Sequence, residues 1–411
     1  MKSRRTEPGA PARGKHVLMI PFDIYTPKAC PYVGIFIYHQ ARALKTAGFK
    51  VGVIALELRP ILPWGNRRLG GPAGIEFEDD EGIPVYRYRG RSWIPLIMQA
   101  KIRLTLRAGM MLFRRYVRNH GMPDIVHAHN ALYGGLIASR IKKAFGIPYA
   151  ITEHSSAYGR EQISKKQMPW VDEAFSRADA RMAVSHSLGT ILEGLLNDRF
   201  RDWNGVPNLL DKMFEDQALP ERDQRSGDGR FTFLTIGLYS DVKGQADLLR
   251  AFALQYEGRD DVQLRMGGGG PLRNDLEKMA RELGIKKYVV FLGDLERDQV
   301  LREMQHCDAY VLPSHYETFG VVLLEALSCG KPVIATACGG PEEIVNKKNG
   351  LLVPRRDPTA LGHAMETMRS NIDGYDRAWI RKDCISRFGE EAFVKKISGI
   401  YAGILNENRS K

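Results

Sequence analysis

The stretch at residues 309–345, AYVLPSHYETFGVVLLEALSCGKPVIATACGGPEEIV, constrains the fold more than any other part of this chain. Its opening run, Tyr310-Val311-Leu312, reads as a buried strand that ends at Pro313-Ser314. A polar loop with His315 and Glu317 follows. A helix starts near Gly320 and stops at Cys329-Gly330, where glycine can take the left-handed cap. Residues 332–336 form the next buried strand. Such a strand-loop-helix-strand unit belongs to a parallel α/β sheet, where ligands sit at the carboxyl ends of the strands.

Two carboxylates fall in this unit, Glu317 in the loop and Glu325 on the helix. The helix start offers amides at Gly320, Val321 and Val322, which attract an anion through hydrogen bonds and the helix dipole. Carboxylates repel phosphate, so beside such an anion they suit hydroxyls of attached sugars. The plainer alternative is a pair of solvated surface acids beside a fold-typical loop.

The arrangement PS-x-x-E-T-F-G-x-x-x-x-E-A-x-x-x-G-x-P-V-I-A-T-x-x-G-G resembles the signature of the family-4 retaining glycosyltransferases, and weaker similarity covers almost the whole chain. The resemblance implies the GT-B fold: two Rossmann-like α/β domains facing each other across a cleft, with a C-terminal helix crossing back to the first. It implies that Glu317 contacts the transferred sugar and Glu325 the nucleotide ribose. The loop and helix tip at Phe319, Gly320 and Val321 then border the donor.

A length of 411 residues suits two domains. We expect a disordered tail at 1–14, an acceptor-binding domain at 15–206, a nucleotide-sugar domain at 207–387 and the returning helix at 388–411. Five cysteines without a Cys-x-x-Cys pair support neither a disulfide framework nor a zinc site, which points to a reducing, cytoplasmic compartment. No apolar h-region follows the basic N-terminus, and no run approaches a membrane span. The formal net charge is +12, unevenly placed: residues 1–204 hold 31 Lys and Arg against 17 Asp and Glu, the remainder 29 against 31. A basic first half suits an anionic partner such as a membrane surface or an acidic glycolipid, with nucleic acid not expected.

In the first half, residues 16–20 read as the opening strand. The loop after it holds Gly34, where the resemblance implies an approach of backbone amides to the donor phosphate; a plain turn glycine is the alternative. A helix at 35–47 and a strand at 51–55 come next, then a long loop at 56–95 with a short edge strand near 85–88. In the helix at 101–118, Ile102, Leu106, Met110, Phe113 and Val117 form the expected sheet-facing side. Arg103, Arg107, Arg114 and Arg118 form a stripe beside it, with Leu104 and Met111 adjacent. A basic stripe with interleaved apolar residues suits peripheral contact with an anionic membrane face; a solvated helix face is the alternative.

The strand at 123–129 ends in His127 and His129, which share a face. No third ligand accompanies them, and the resemblance implies metal-free chemistry. It also implies that His129 lines the active site near the transferred sugar, with His127 as a core residue. Glu153 and His154 follow another strand; they face the acceptor or serve as structural hydrogen-bonding groups. Residues 178–185 read as the last strand of the domain.

In the second half, residues 231–236 start a new unit. The resemblance implies that Lys243, in Lys243-Gly244, grips the pyrophosphate. The arginine usual at the preceding loop is Leu238 here, with Arg265 and Lys331 as candidate replacements. Gly268 and Gly269, in a four-glycine run after the strand at 262–266, suit close approach of backbone to the nucleotide. No cofactor is expected, the UDP- or GDP-linked sugar being a substrate and the acceptor a glycan or lipid-linked molecule. A silent nucleotide-sugar-binding scaffold and a same-fold epimerase or phosphorylase are the competing readings.

Overall fold

The computed structural model describes residues 14–21, 25, 35–60, 73–92, 98–219 and 229–408. Gly34 and nearly all of the expected N-terminal tail lie outside these. The chain divides into two compact units. One comprises Met1–Val184, Gly189–Pro207 and Phe393–Lys411, the other Ser185–Leu188 and Asn208–Ala392.

The first unit is built on eight strands: β1 (His16–Ile20), β2 (Lys50–Pro60), β3 (Gly74–Asp80), β4 (Ile83–Ser92), β5 (Ile125–His129), β6 (Tyr149–Glu153), β7 (Ala180–Ala183) and β8 (Trp203–Gly205). Their order is β3-β4-β2-β1-β5-β6-β7-β8, parallel except for β3 against β4. β1, β5 and β6 are buried at every position, as expected of parallel strands covered on both faces.

Three features differ from the sequence reading. The expected long loop at 56–95 includes a lengthened β2 and the antiparallel pair β3–β4. Charged pairs do the work there that apolar alternation usually does: Arg87, 2% exposed, meets Glu57 at 2.9 Å and Glu78 at 3.1 Å, and Arg89 meets Glu57 at 2.9 Å. The strand near 183 is not the last, because β8 pairs beyond it. The first unit is also not continuous through 206: the amides of His186 and Ser187 donate to the Glu343 carboxylate, which places Ser185–Leu188 with the second unit.

The helix Met98–His120 buries Ile102, Thr105, Ala108, Leu112, Phe113 and Tyr116. Leu106, Met110 and Val117, expected in the core, are only half-buried. Small and polar residues set the rotation. Gly109 lies against Ile137, and the Tyr116 hydroxyl bonds His16 Nε2 at 2.6 Å. The helix Glu390–Glu407 adds Tyr401, whose ring meets Phe49 at 6.0 Å.

The second unit carries β9 (Phe231–Ile236), β10 (Val262–Gly267), β11 (Val289–Gly293), β12 (Ala309–Leu312), β13 (Val333–Thr336) and β14 (Gly350–Val353). All pairs are parallel, in the order β11-β10-β9-β12-β13-β14. Helices Gln245–Tyr256 and Pro358–Ser370 close an apolar core with Leu248, Phe252, Leu361 and Met365. The carboxyl ends of β9, β12 and β13 therefore open on one edge.

Candidate functional site

Three loops at that edge of the second unit are laced together. Gly244, left-handed at φ 66°, follows Lys243; a Cβ there would lie 2.0 Å from the Pro313 carbonyl oxygen. Only glycine lets the loop after β9 rest on the end of β12. The His315 amide fastens the contact by donating to the Val242 carbonyl at 2.7 Å. The loop after β13 lies against the same segment: the Gly340 amide donates to the Glu317 carbonyl at 2.9 Å, and a Cβ on Gly340 would meet Phe319 Cα at 2.2 Å. These close approaches explain why the spacing keeps both the Lys-Gly and the Gly-Gly pair.

The lacing brings Lys243 Nζ onto Glu317 Oε1, to which Ser314 Oγ also donates at 2.9 Å. Lys243 is 32% exposed and Glu317 12% at the side chain, so a cation and an anion stand together at the accessible edge. Phe319 beyond them is buried, its ring edge-on to Phe388 at 5.8 Å. Gly320, at φ 100°, then opens the helix Val321–Ser328. Leu323 N closes back on the Gly320 carbonyl at 2.9 Å, leaving the Val321 and Val322 amides at the helix head.

Glu325 sits one turn deeper, 3% exposed, and bonds Arg297 at 2.8 Å. Gly268, at φ 119°, is required by the chain itself, since a Cβ would meet the Gly237 carbonyl oxygen at 2.1 Å; a Cβ on Gly269 would meet only the movable Asp294 carboxylate, at 2.6 Å. Leu238 is 55% exposed. Neither candidate replacement for its missing charge stands at the edge. Arg265 is held by both oxygens of Glu303 at 2.7 Å. Lys331 precedes β13 at the opposite end of the sheet and is buried, which lowers its pKa. A different guanidinium reaches the loop: Arg355, from the segment after β14, donates to the His315 carbonyl at 3.3 Å.

In the first unit, β5 delivers two histidines with different surroundings. His127 uses both ring nitrogens, bonding Thr152 Oγ1 and the Tyr401 hydroxyl, each at 2.8 Å. Its burial lowers its pKa to about 3, so it is a neutral core group. His129, also fully buried, bonds His154 Nε2 through Nδ1 at 3.0 Å. Its Nε2 has no partner among the described residues. Burial, with His127 and His154 beside it, pushes its pKa well below the ordinary 6.5. Glu153 is spent locally: its carboxylate accepts from the amides of Ala131 at 2.9 Å, His154 at 3.0 Å and Ser155 at 2.9 Å. That makes it a brace for the loops after β5 and β6, with burial raising its pKa.

Arg103, Arg107, Arg114 and Arg118 are exposed and wall a groove of about 990 Å³ with Arg115 and Arg140, over Leu106, Met110, Met111 and Ile75. The sequence reading placed the first four on a stripe; the concavity and the two added arginines come from neighbouring turns and from the helix Leu136–Phe145. No helix among the described residues is long and apolar enough to cross a membrane.

Both halves of the chain match families of known proteins. The family description "Glycosyl transferases group 1" matches residues 217–381, and "Glycosyltransferase Family 4" matches residues 33–208. A D-inositol 3-phosphate glycosyltransferase of Corynebacterium urealyticum is 36% identical over 384 residues, covering 83% of each chain. The chain belongs to the family-4 glycosyltransferases. The fold of this glycosyltransferase is GT-B, similar to sucrose-phosphate synthase from Thermosynechococcus elongatus at a TM-score of 0.74, with 20% identity over 96% of this chain and 100% of the other. Anabaena HepE in complex with UDP-glucose is likewise similar, at a TM-score of 0.68 and 18% identity over 96% of this chain and 100% of that one. Arg297 and Arg355 are two guanidiniums at the candidate site that sequence reasoning missed. Their partners lie 28 and 40 residues away, beyond any local spacing signal.

Proposed function

We propose that this glycosyltransferase moves a sugar, with retained anomeric configuration, from a UDP- or GDP-linked donor to a glycan or lipid-linked acceptor in cell-surface polysaccharide or glycolipid synthesis. The observation that carries the reading is the meeting of Lys243 and Glu317 in the loop that leads into the helix Val321–Ser328. A diphosphate placed there meets one cation and a set of backbone donors, the two features that stabilise a leaving nucleoside diphosphate. Glu317 then serves the sugar hydroxyls as an orienting and charge-stabilising acceptor, and Glu325 the ribose. His129 Nε2 remains for a substrate hydroxyl. In the front-side mechanism that the family resemblance implies, the departing phosphate takes the acceptor proton, with neither a metal nor a covalent glutamate adduct. The second unit binds the donor and the first the acceptor.

The arginine groove supports peripheral binding at an anionic, cytoplasmic membrane face. None of its six arginines has an ion-pair partner among the described residues.

Radiolabelled UDP- and GDP-sugars offered with lipid-linked and glycan acceptors test the reaction. Wild type is expected to transfer label, and Lys243→Ala to lower kcat/KM by about a hundredfold or more, the usual effect of removing a group aimed at transition-state charge. Binding without turnover would identify a silent scaffold, and an isomerised donor an epimerase.

A further inference from the structure

The first residue of the helix Arg297–His306 is an arginine, where the positive end of the helix dipole opposes a cation. The helix start is already capped by Glu296 and Gln299, so capping does not account for it. Its guanidinium instead spans two carboxylates from distant segments. Nη1 meets Glu325 Oε1 at 2.8 Å and Nη2 meets Asp211 Oδ2 at 2.7 Å, while the plane lies over the Phe214 ring at 5.0 Å. Glu325 and Asp211 are 3% and 6% exposed. Asp211 is itself fixed, because its Oδ1 caps the short helix Lys212–Glu215 through the Met213 amide at 3.0 Å.

We propose that Arg297 is a positioning residue for nucleotide recognition: held by Asp211, it fixes the rotamer and charge of Glu325 so that this carboxylate can accept the ribose hydroxyls of the donor. The inference rests on the ribose role given to Glu325 above. The chemistry demands such a partner. A carboxylate sealed from water tends to its neutral form, while an adjacent cation favours the charged form, which is acceptor-only. A planar fork with two separate N–H faces can serve two carboxylates at once, which a lysine ammonium does with less directional control. Arg297 also starts the helix that follows β11, so it ties that segment to the helix bearing Glu325.

The test crosses a protein change with a ligand change. Binding of UDP and GDP, and of their 2′,3′-dideoxy analogues, is measured by calorimetry on wild type and Arg297→Met. Wild type is expected to prefer the ribose form by about tenfold or more, the scale of a hydrogen bond to a charged group. In Arg297→Met the preference should collapse to less than about threefold, while dideoxy affinity stays within about threefold of wild type. Should the single change fail to fold, Arg297→Met with Asp211→Asn removes one of the two stranded carboxylates and carries the same expectation. Arg297→Lys should restore part of the preference. A wild type indifferent to the ribose hydroxyls would sink the Glu325 assignment beneath the proposal. A wild type that discriminates, with a variant that discriminates equally or loses both affinities in parallel, would overturn the role of Arg297 alone.

Discussion

Two histidines on one face of β5 show how far a single residue's surroundings decide its use. His127 is saturated: the Tyr401 hydroxyl donates to Nδ1, Nε2–H donates to Thr152 Oγ1, and the Thr152 hydroxyl turns to Met182 Sδ at 3.8 Å. His129, two residues on, keeps one nitrogen unspent among the described residues. The folded pKa of His127, about 3, lies below the ordinary 6.5, so between those values the unfolded chain binds more protons. Its contribution to stability is therefore intact above pH 6.5 and is lost as pH falls through that window. Each such histidine weakens the fold by about 1.4 kcal/mol per pH unit. Urea unfolding of the first unit at pH 6.5 and 5.0 checks this: His127→Gln should lose about 1.6 kcal/mol less than wild type over the interval, the histidine being half protonated in the unfolded chain at the starting pH. Equal losses would mean that His127 does not resist protonation.

The same scale shows what the sequence made legible. Lys243, Glu317 and Glu325 could be singled out because they stand in short motifs whose glycines have steric reasons now visible at Gly244 and Gly340. Arg297 and Arg355 were not, since nothing local marks an arginine whose partner is on another loop. Gly268, read as an opening toward a ligand, is also needed by the fold itself, at φ 119° and with a Cβ that would meet the Gly237 carbonyl oxygen.

At the scale of elements, apolar patterning predicted β1, β5, β6 and the helix Val321–Ser328 because those segments are mostly buried apolar side chains. It missed β3, where Glu76 and Glu78 lie beside Arg87 and Arg89 in an ion network that a hydropathy reading takes for loop. It also misjudged the rotation of the helix Met98–His120, since Thr105, Gly109 and Tyr116 do part of the packing. The half-buried Leu106 and Met110 instead floor the arginine groove. An arginine held near an anionic leaflet contributes about 1 kcal/mol, and several together set the partitioning. Changing Arg103, Arg107, Arg114 and Arg118 together to Ser should therefore weaken partitioning onto phosphatidylserine vesicles, read by sedimentation, by up to about a thousandfold, at about 1 kcal/mol for each charge removed. The binding of neutral vesicles should not change. Retention equal to wild type on the anionic vesicles would remove the membrane reading of this helix.

For the whole molecule, the division into two α/β units followed from length and from two separate strand-helix series. Its details did not, because Ser185–Leu188 is recruited by Glu343 from a distant segment. The GT-B fold hosts many donors and acceptors, so fold alone names none of them. On the proposed reading, the diphosphate belongs at the head of the helix Val321–Ser328, with Lys243 against it. A crystal structure of the full chain with UDP or GDP measures this directly. The account predicts phosphate oxygens within hydrogen-bond distance of the Val321 and Val322 amides and of Lys243 Nζ; phosphates bound away from that helix head would contradict it.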